Sequence, residues 1–144
     1  MENNINLNSN LTGRKVLVVE HNDLNFYSIE RILSHSGLKL LRSYSGKETI
    51  RICAKCVDIV IISSDVPNID TLSLVKEIKV IQPELPVVTV ASAYSDDEKN
   101  KYMDAGCEAY IFKPLQKEFL LSEIARCLMK NSEISEYINC LAIN

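Results

Sequence analysis

The chain has 144 residues, 47% of them apolar and 24% charged, with a net charge of -3 at pH 7. That is enough for one domain with a buried core, and the acidic balance removes the electrostatic ground for nucleic-acid binding. No apolar run nears the ~20 residues of a membrane-spanning helix, and residues 1–13 lack the basic start and apolar centre of a secretory signal, so a cytoplasmic protein is expected.

Residues 1–13 are Asn-rich with few apolar members, which predicts a flexible or loosely docked arm. Lys15 leads into Val16-Leu17-Val18-Val19, a short β-branched run typical of a strand buried on both faces. It ends in Glu20-His21-Asn22-Asp23, where Asn22 or Asp23 can cap a helix facing the sheet through Ile29, Ile32 and Leu33. Gly37 is placed to stop that helix in a left-handed conformation. Leu38–Ser43 is a second strand broken by Lys39 and Arg42, charges that suit a sheet edge. Ser45-Gly46 opens a helix through about Cys56, with Ile50 and Ala54 on one face.

The stretch from Asp58 to Asp70, DIVIISSDVPNID, organises the rest. Ile59–Ile62 is an unbroken apolar run, Ser63, Ser64 and Asp65 turn it polar, and Pro67 stops it. A helix from about Thr71 to Ile81 follows, striped by Leu74, Val75, Ile78 and Ile81. Val87–Val90 is a fourth strand ending in Ala91-Ser92-Ala93. Ser95 or Asp96 then caps a short helix closed by Gly106. Ala109–Phe112 is the fifth strand, followed at once by Lys113-Pro114. The last helix of the domain spans about Gln116 to Lys130, with Leu120, Ile124, Cys127 and Leu128 inward.

Five strands alternating with five helices across short joints predict a doubly wound α/β domain over residues 14–130. With right-handed crossovers the favoured layout is a flavodoxin-like parallel sheet of order 2-1-3-4-5. The switch point between strands one and three then brings Glu20 and His21 beside Ser63, at the carboxyl edge where such sheets bind ligands. Residues 131–144 carry Ile134, Tyr137, Ile138 and Leu141 at helical spacing. They predict a short amphipathic helix or tail, packed on its own domain or offered to a partner. The five cysteines form no disulfide framework. Cys53 and Cys56 make a lone CxxC pair, read with the others as small buried fillers.

Four stretches together resemble the response-regulator receiver domain of two-component signalling: VLVVE (16–20), DIVIISSDVPNID (58–70), PVVTVASA (86–93) and DAGCEAYIFKPL (104–115). The resemblance, as much as deduction, supports the strand order. It implies an aspartate that takes a phosphoryl group from a histidine kinase. Acidic side chains hold Mg²⁺ beside it, and a lysine and a hydroxyl steady the phosphoryl oxygens.

Most of those positions differ here. Ser63 stands at the phosphoacceptor position, and Glu20 and His21 at the acidic pair. Ala91 stands at the switch hydroxyl, with the aromatic Tyr110 and Lys113 retained. A serine hydroxyl is uncharged at neutral pH, one carboxylate is a thin Mg²⁺ site, and imidazole prefers softer metals. The resemblance therefore predicts a degenerate receiver with no catalytic residue and no cofactor, in which Lys113 pairs with Glu20 or Asp65. Ser92 is disfavoured as a stand-in hydroxyl because a one-residue shift on a strand reverses direction.

Three function classes follow. The first is a phosphorylation-independent module that binds a protein through the 94–113 and 116–130 face, where Tyr94, Lys99, Lys101, Tyr102 and Tyr110 fall. Its partner would be a histidine kinase, another regulator or a second copy in a homodimer. The second is a phosphoaccepting receiver using Asp65, with Mg²⁺ held by Glu20 and Asp65 or by Glu20 and Asp23. The third is a flavin or nucleotide binder in the same crevice, opposed by EHNDLN standing where a Gly-rich phosphate loop would be.

Overall fold

The computed structural model describes residues 11–129. Five strands, β1 (Lys15–Val19), β2 (Lys39–Ser43), β3 (Ile59–Ser63), β4 (Val87–Ala91) and β5 (Ala109–Phe112), form one sheet in the order β2-β1-β3-β4-β5. Every pairing is parallel. The helices are α1 (Asp23–Leu33), α2 (Gly46–Cys53), α3 (Thr71–Ile81), α4 (Asp96–Asp104) and α5 (Lys117–Leu128). The expected fold class and strand order are both observed.

Strand alternation divides the core into two layers. Val16, Val18, Ile59, Ile61, Val88, Val90 and Ile111 face one way, against Phe26, Ile29 and Leu33 of α1 and Leu120, Leu121 and Ile124 of α5. Leu17, Val19, Val60, Ile62, Val87, Ala91 and Tyr110 face the other, against Cys53 of α2, Leu74, Val75 and Ile78 of α3 and Tyr102 of α4. All five residues of β3 are buried, so the strand reads apolar throughout rather than alternating. Each buried Val or Ile contributes roughly 1.5–3 kcal/mol, an upper figure because the unfolded chain is partly collapsed. β2 has the alternating exposure of an edge strand.

Asn22 caps α1 and Ser45 caps α2. Asp70 caps α3 and Ser95 caps α4, each side chain accepting an N–H of the first turn. Gly106 (φ +112°) ends α4: its N–H bonds to Met103 O at 3.1 Å and that of Cys107 to Tyr102 O at 3.1 Å. That paired pattern satisfies two orphan carbonyls and needs the left-handed φ.

Several boundaries and placements differ from expectation. α1 ends at Leu33, so Gly37 does not stop it. Gly37 (φ +85°) instead makes room for the preceding segment: a Cβ there would come 2.5 Å from Thr12 Oγ1. α2 ends at Cys53, and Ala54 is exposed because it lies past the last helical residue. Ile81 is the last residue of α3 and is 39% exposed, so the stripe closes at Ile78. Cys56 is exposed beyond α2 rather than buried. The predicted arm also ends earlier than residue 13. Leu11 is fully buried among Val16, Ile29 and Leu33, and Gly13 N–H donates to Gly37 O at 2.8 Å. The rest of the arm and the helix expected in 131–144 lie outside the described residues.

Candidate functional site

Strand register sets the site. Val19 pairs with Ile62 and Ser63 with Val90. Glu20, one residue past β1, therefore stands level with Ser63, and Ala91 ends β4 beside them. Lys113 follows β5, and its N–H donates to Ala91 O at 2.9 Å. The ends of four neighbouring strands and the residues just after them thus deliver the expected residues to one edge of the sheet, as a parallel sheet with a switch point requires.

Glu20 is 1% exposed. Its Oε2 accepts the Asn22 N–H at 3.1 Å, and the His21 Nδ1 lies 3.4 Å away. Its Oε1 accepts no hydrogen bond and faces the Lys113 ammonium at 3.8 Å. Of the two pairings expected for Lys113, the close one is with Glu20. A carboxylate this buried is tolerable only when a cation compensates it.

Ser63 is buried, and its Oγ donates to Asp65 Oδ1 at 2.6 Å. β3 stops at Ser63, and the chain turns through Ser64 and Asp65, so the Asp65 carboxylate folds back over the strand tip. Ser92 Oγ donates to its other oxygen, Oδ2, at 3.0 Å. Asp65 is held below the usual carboxylate range, first by the Ser63 hydroxyl and further by Ser92 and the charge of Lys113, with burial opposing.

Ser92 corrects the expectation from strand direction. β4 ends at Ala91, so the alternation rule no longer governs residue 92, and its hydroxyl reaches the site. Arg42 was legible only as an edge charge. Its Nε donates to Glu20 O at 3.0 Å, and its guanidinium lies 4.4 Å from the Phe26 ring centroid and 4.6 Å from that of Tyr44. Its Nη1 holds Asp23 Oδ1 at 3.0 Å. Asp23, which is largely exposed, is thereby paired with Arg42.

Among the described residues no group of three or more His, Cys, Asp or Glu side chains is spaced to hold a metal ion. A hard divalent cation wants several oxygen ligands. The donors here are one carboxylate already facing an ammonium, a second carboxylate taken by two hydroxyls, and an imidazole. This set does not fit Mg²⁺.

Tyr110 and Tyr102 are not surface residues of the 94–113 face, being 8% and 3% exposed. Their rings lie 5.5 Å apart, Tyr110 packs on Phe112 at 5.4 Å, and Phe112 on Tyr94 at 4.7 Å. Tyr94 remains 65% exposed. Thr71 Oγ1 donates to Ser64 O at 3.0 Å, so its contact with Tyr102 at 2.6 Å has the tyrosine as donor. Beside Lys113 lies a cleft of about 330 Å³ lined by Asn25, Ser28, Ile32, Pro114 and Leu115.

The family model of the response regulator receiver domain matches residues 16–125. The chain belongs to that family. Transcriptional regulatory protein PrrA of Mycobacterium tuberculosis is 26% identical over 119 residues, covering 82% of this chain and 49% of its own length. The polar-differentiation response regulator DivK of Brucella abortus is 27% identical over 105 residues, covering 71% of this chain and 85% of its own. The chain thus spans about half the length of PrrA and most of DivK.

The receiver domain (CheY-like) of Methanospirillum hungatei superposes with a TM-score of 0.74 at 19% identity, over 85% of this chain and 98% of that one. The receiver domain of sensor histidine kinase PA1611 from Pseudomonas aeruginosa, which has a magnesium ion in its active site cleft, gives 0.73 at 22% identity, over 81% and 98%. These structural likenesses establish the fold of the receiver domain. The family is one of two-component signalling, and its members work through histidine kinases and other proteins. No described helix of this receiver domain is long and apolar enough to cross a membrane.

Proposed function

We propose that this receiver domain signals by protein–protein contact without taking up a phosphoryl group. The observation that carries the reading is Ser63 at the tip of β3, its hydroxyl bound to Asp65 at 2.6 Å. Aspartyl phosphate chemistry needs a carboxylate nucleophile at that tip and a metal to neutralise the transferred charge. A hydroxyl hydrogen-bonded to a carboxylate, with His21 where a second acid belongs, supplies neither. Ala91 offers no switch hydroxyl, and Lys113 is used to balance Glu20.

The contact surface in this reading is the 94–113 segment with α5, which presents Tyr94 and Phe119, 65% and 51% exposed. Its partner is a histidine kinase, another regulator or a second copy of the chain. Cys53, Cys56, Cys107 and Cys127 are free thiols, which favours a reducing compartment such as the cytoplasm.

A second reading rests on Asp65, whose exposed carboxylate lies at the site and is held ionised. It makes Asp65 the phosphoacceptor with Mg²⁺. Incubation with acetyl phosphate and Mg²⁺, followed by intact mass, separates the two. The proposed function expects no phosphoryl mass gain. A gain that Asp65→Asn abolishes would establish the second reading instead.

A further inference from the structure

The chain after β3 is tied at two separated points, once to the segment before α4 and once to α4 itself. At one, the Asp65 carboxylate joins Ser63 on β3 to Ser92 beyond β4, accepting at 2.6 and 3.0 Å. At the other, Tyr102 of α4 donates to Thr71, whose hydroxyl donates to Ser64 O. Between those points lie residues 93–101, of which Tyr94 rests on Phe112 of β5. Among the described residues, the Asp65 carboxylate is the one side chain bound to both Ser63 and Ser92.

An anion bridging two hydroxyls at this position holds the loop after β4 against the tip of β3. Its hydrogen bonds are charge-assisted and so about twice as strong as neutral ones. It is also part of the chain and already in place, so no association entropy opposes the contact.

We propose that Asp65 is a built-in anionic latch that fastens residues 92–95, and through them α4, to the tip of β3. The face from Tyr94 to Lys113 is then held in one arrangement with no added group. The latch extends the phosphate-free reading above and rests on it for the claim that it acts alone.

The test compares amide hydrogen exchange in the full chain for wild type, Asp65→Ala and Ser92→Ala. Breaking a hydrogen bond to a charged group lets the fastened segment open more often, so exchange in 92–104 should rise roughly tenfold or more in both variants. Amides of β1 and β3, which report global opening, should rise by much less than those of 92–104 in both variants, which separates release of the latch from general destabilisation. Ser92→Ala removes only an exposed hydroxyl and leaves every core contact intact, so it reports even where Asp65→Ala folds poorly. Wild-type exchange in 92–104 in Ser92→Ala overturns the latch, whatever the acetyl phosphate result. A phosphoryl mass gain in wild type overturns the phosphate-free reading, and with it the claim that the latch acts alone, even where exchange rises as expected.

Discussion

Lys113 Nζ lies 3.8 Å from Glu20 Oε1, the buried carboxylate oxygen that accepts no hydrogen bond. Lys113 keeps 20% of its side chain in solvent while Glu20 keeps 1%. The pair therefore joins a charge that has left water to one that keeps partial contact with it.

That asymmetry predicts unequal mutants. Lys113→Met leaves the Glu20 charge buried and uncompensated and should cost about 2–3 kcal/mol, below the ~3–5 kcal/mol of a fully buried pair because the lysine is partly solvated. The double variant Glu20→Gln, Lys113→Met should recover most of that loss. Urea denaturation of the three proteins measures it. A double variant no more stable than Lys113→Met would show that the lost pair, rather than the stranded charge, accounts for the cost.

Asp65 gives a pH dependence of defined sign. Its folded pKa is depressed below the ordinary 3.8, chiefly by the Ser63 hydroxyl. A depressed carboxyl adds stability above its unfolded pKa, and that contribution fades as pH falls through the folded value. The charged groups around it are Lys113, which favours the ionised form, and the Glu20 carboxylate that Lys113 also serves. Wild type should therefore exceed Asp65→Asn in urea midpoint near pH 6, and the gap should narrow below about pH 4. An equal gap at about pH 3 and pH 6 would exclude this carboxylate as its source.

The cysteines should separate by reactivity. Burial pushes the thiols of Cys53, Cys107 and Cys127 up to about 11, while Cys56 is exposed. At pH 8 roughly one in a thousand of the buried thiols is ionised, and the thiolate is the reactive form. Iodoacetamide labelling followed by peptide mapping should find Cys56 modified well before Cys53 and Cys107. Labelling of Cys107 as fast as Cys56 would contradict the packing of Tyr102 and Cys107 in one core layer.

The runs Val16–Val19, Ile59–Ile62 and Val87–Val90 determined, by themselves, a parallel sheet covered on both faces. Short β-branched stretches without alternation suit strands buried on both faces, as the strands of parallel sheets are. The polar residues closing each run then had to gather at one edge. Ser63 and Glu20 were legible for that reason, while Lys113 and the acid missing at His21 were legible only through the resemblance to the receiver family. Tertiary structure alone decided what each side chain does there. Ser92 is excluded by alternation if β4 continues and admitted once β4 stops at Ala91, a boundary set by the pairing of Ala91 with Phe112. Arg42 reads as an edge charge until folding lays it over Phe26 and against Glu20, residues far from it in the chain. Asp65 reads as a loop acid until the turn after Ser63 folds its carboxylate back between two hydroxyls. Burial pattern follows from local composition, which a sequence carries. Hydrogen-bond partners follow from where strands end and loops turn, and that is settled only when distant segments compete for the same space.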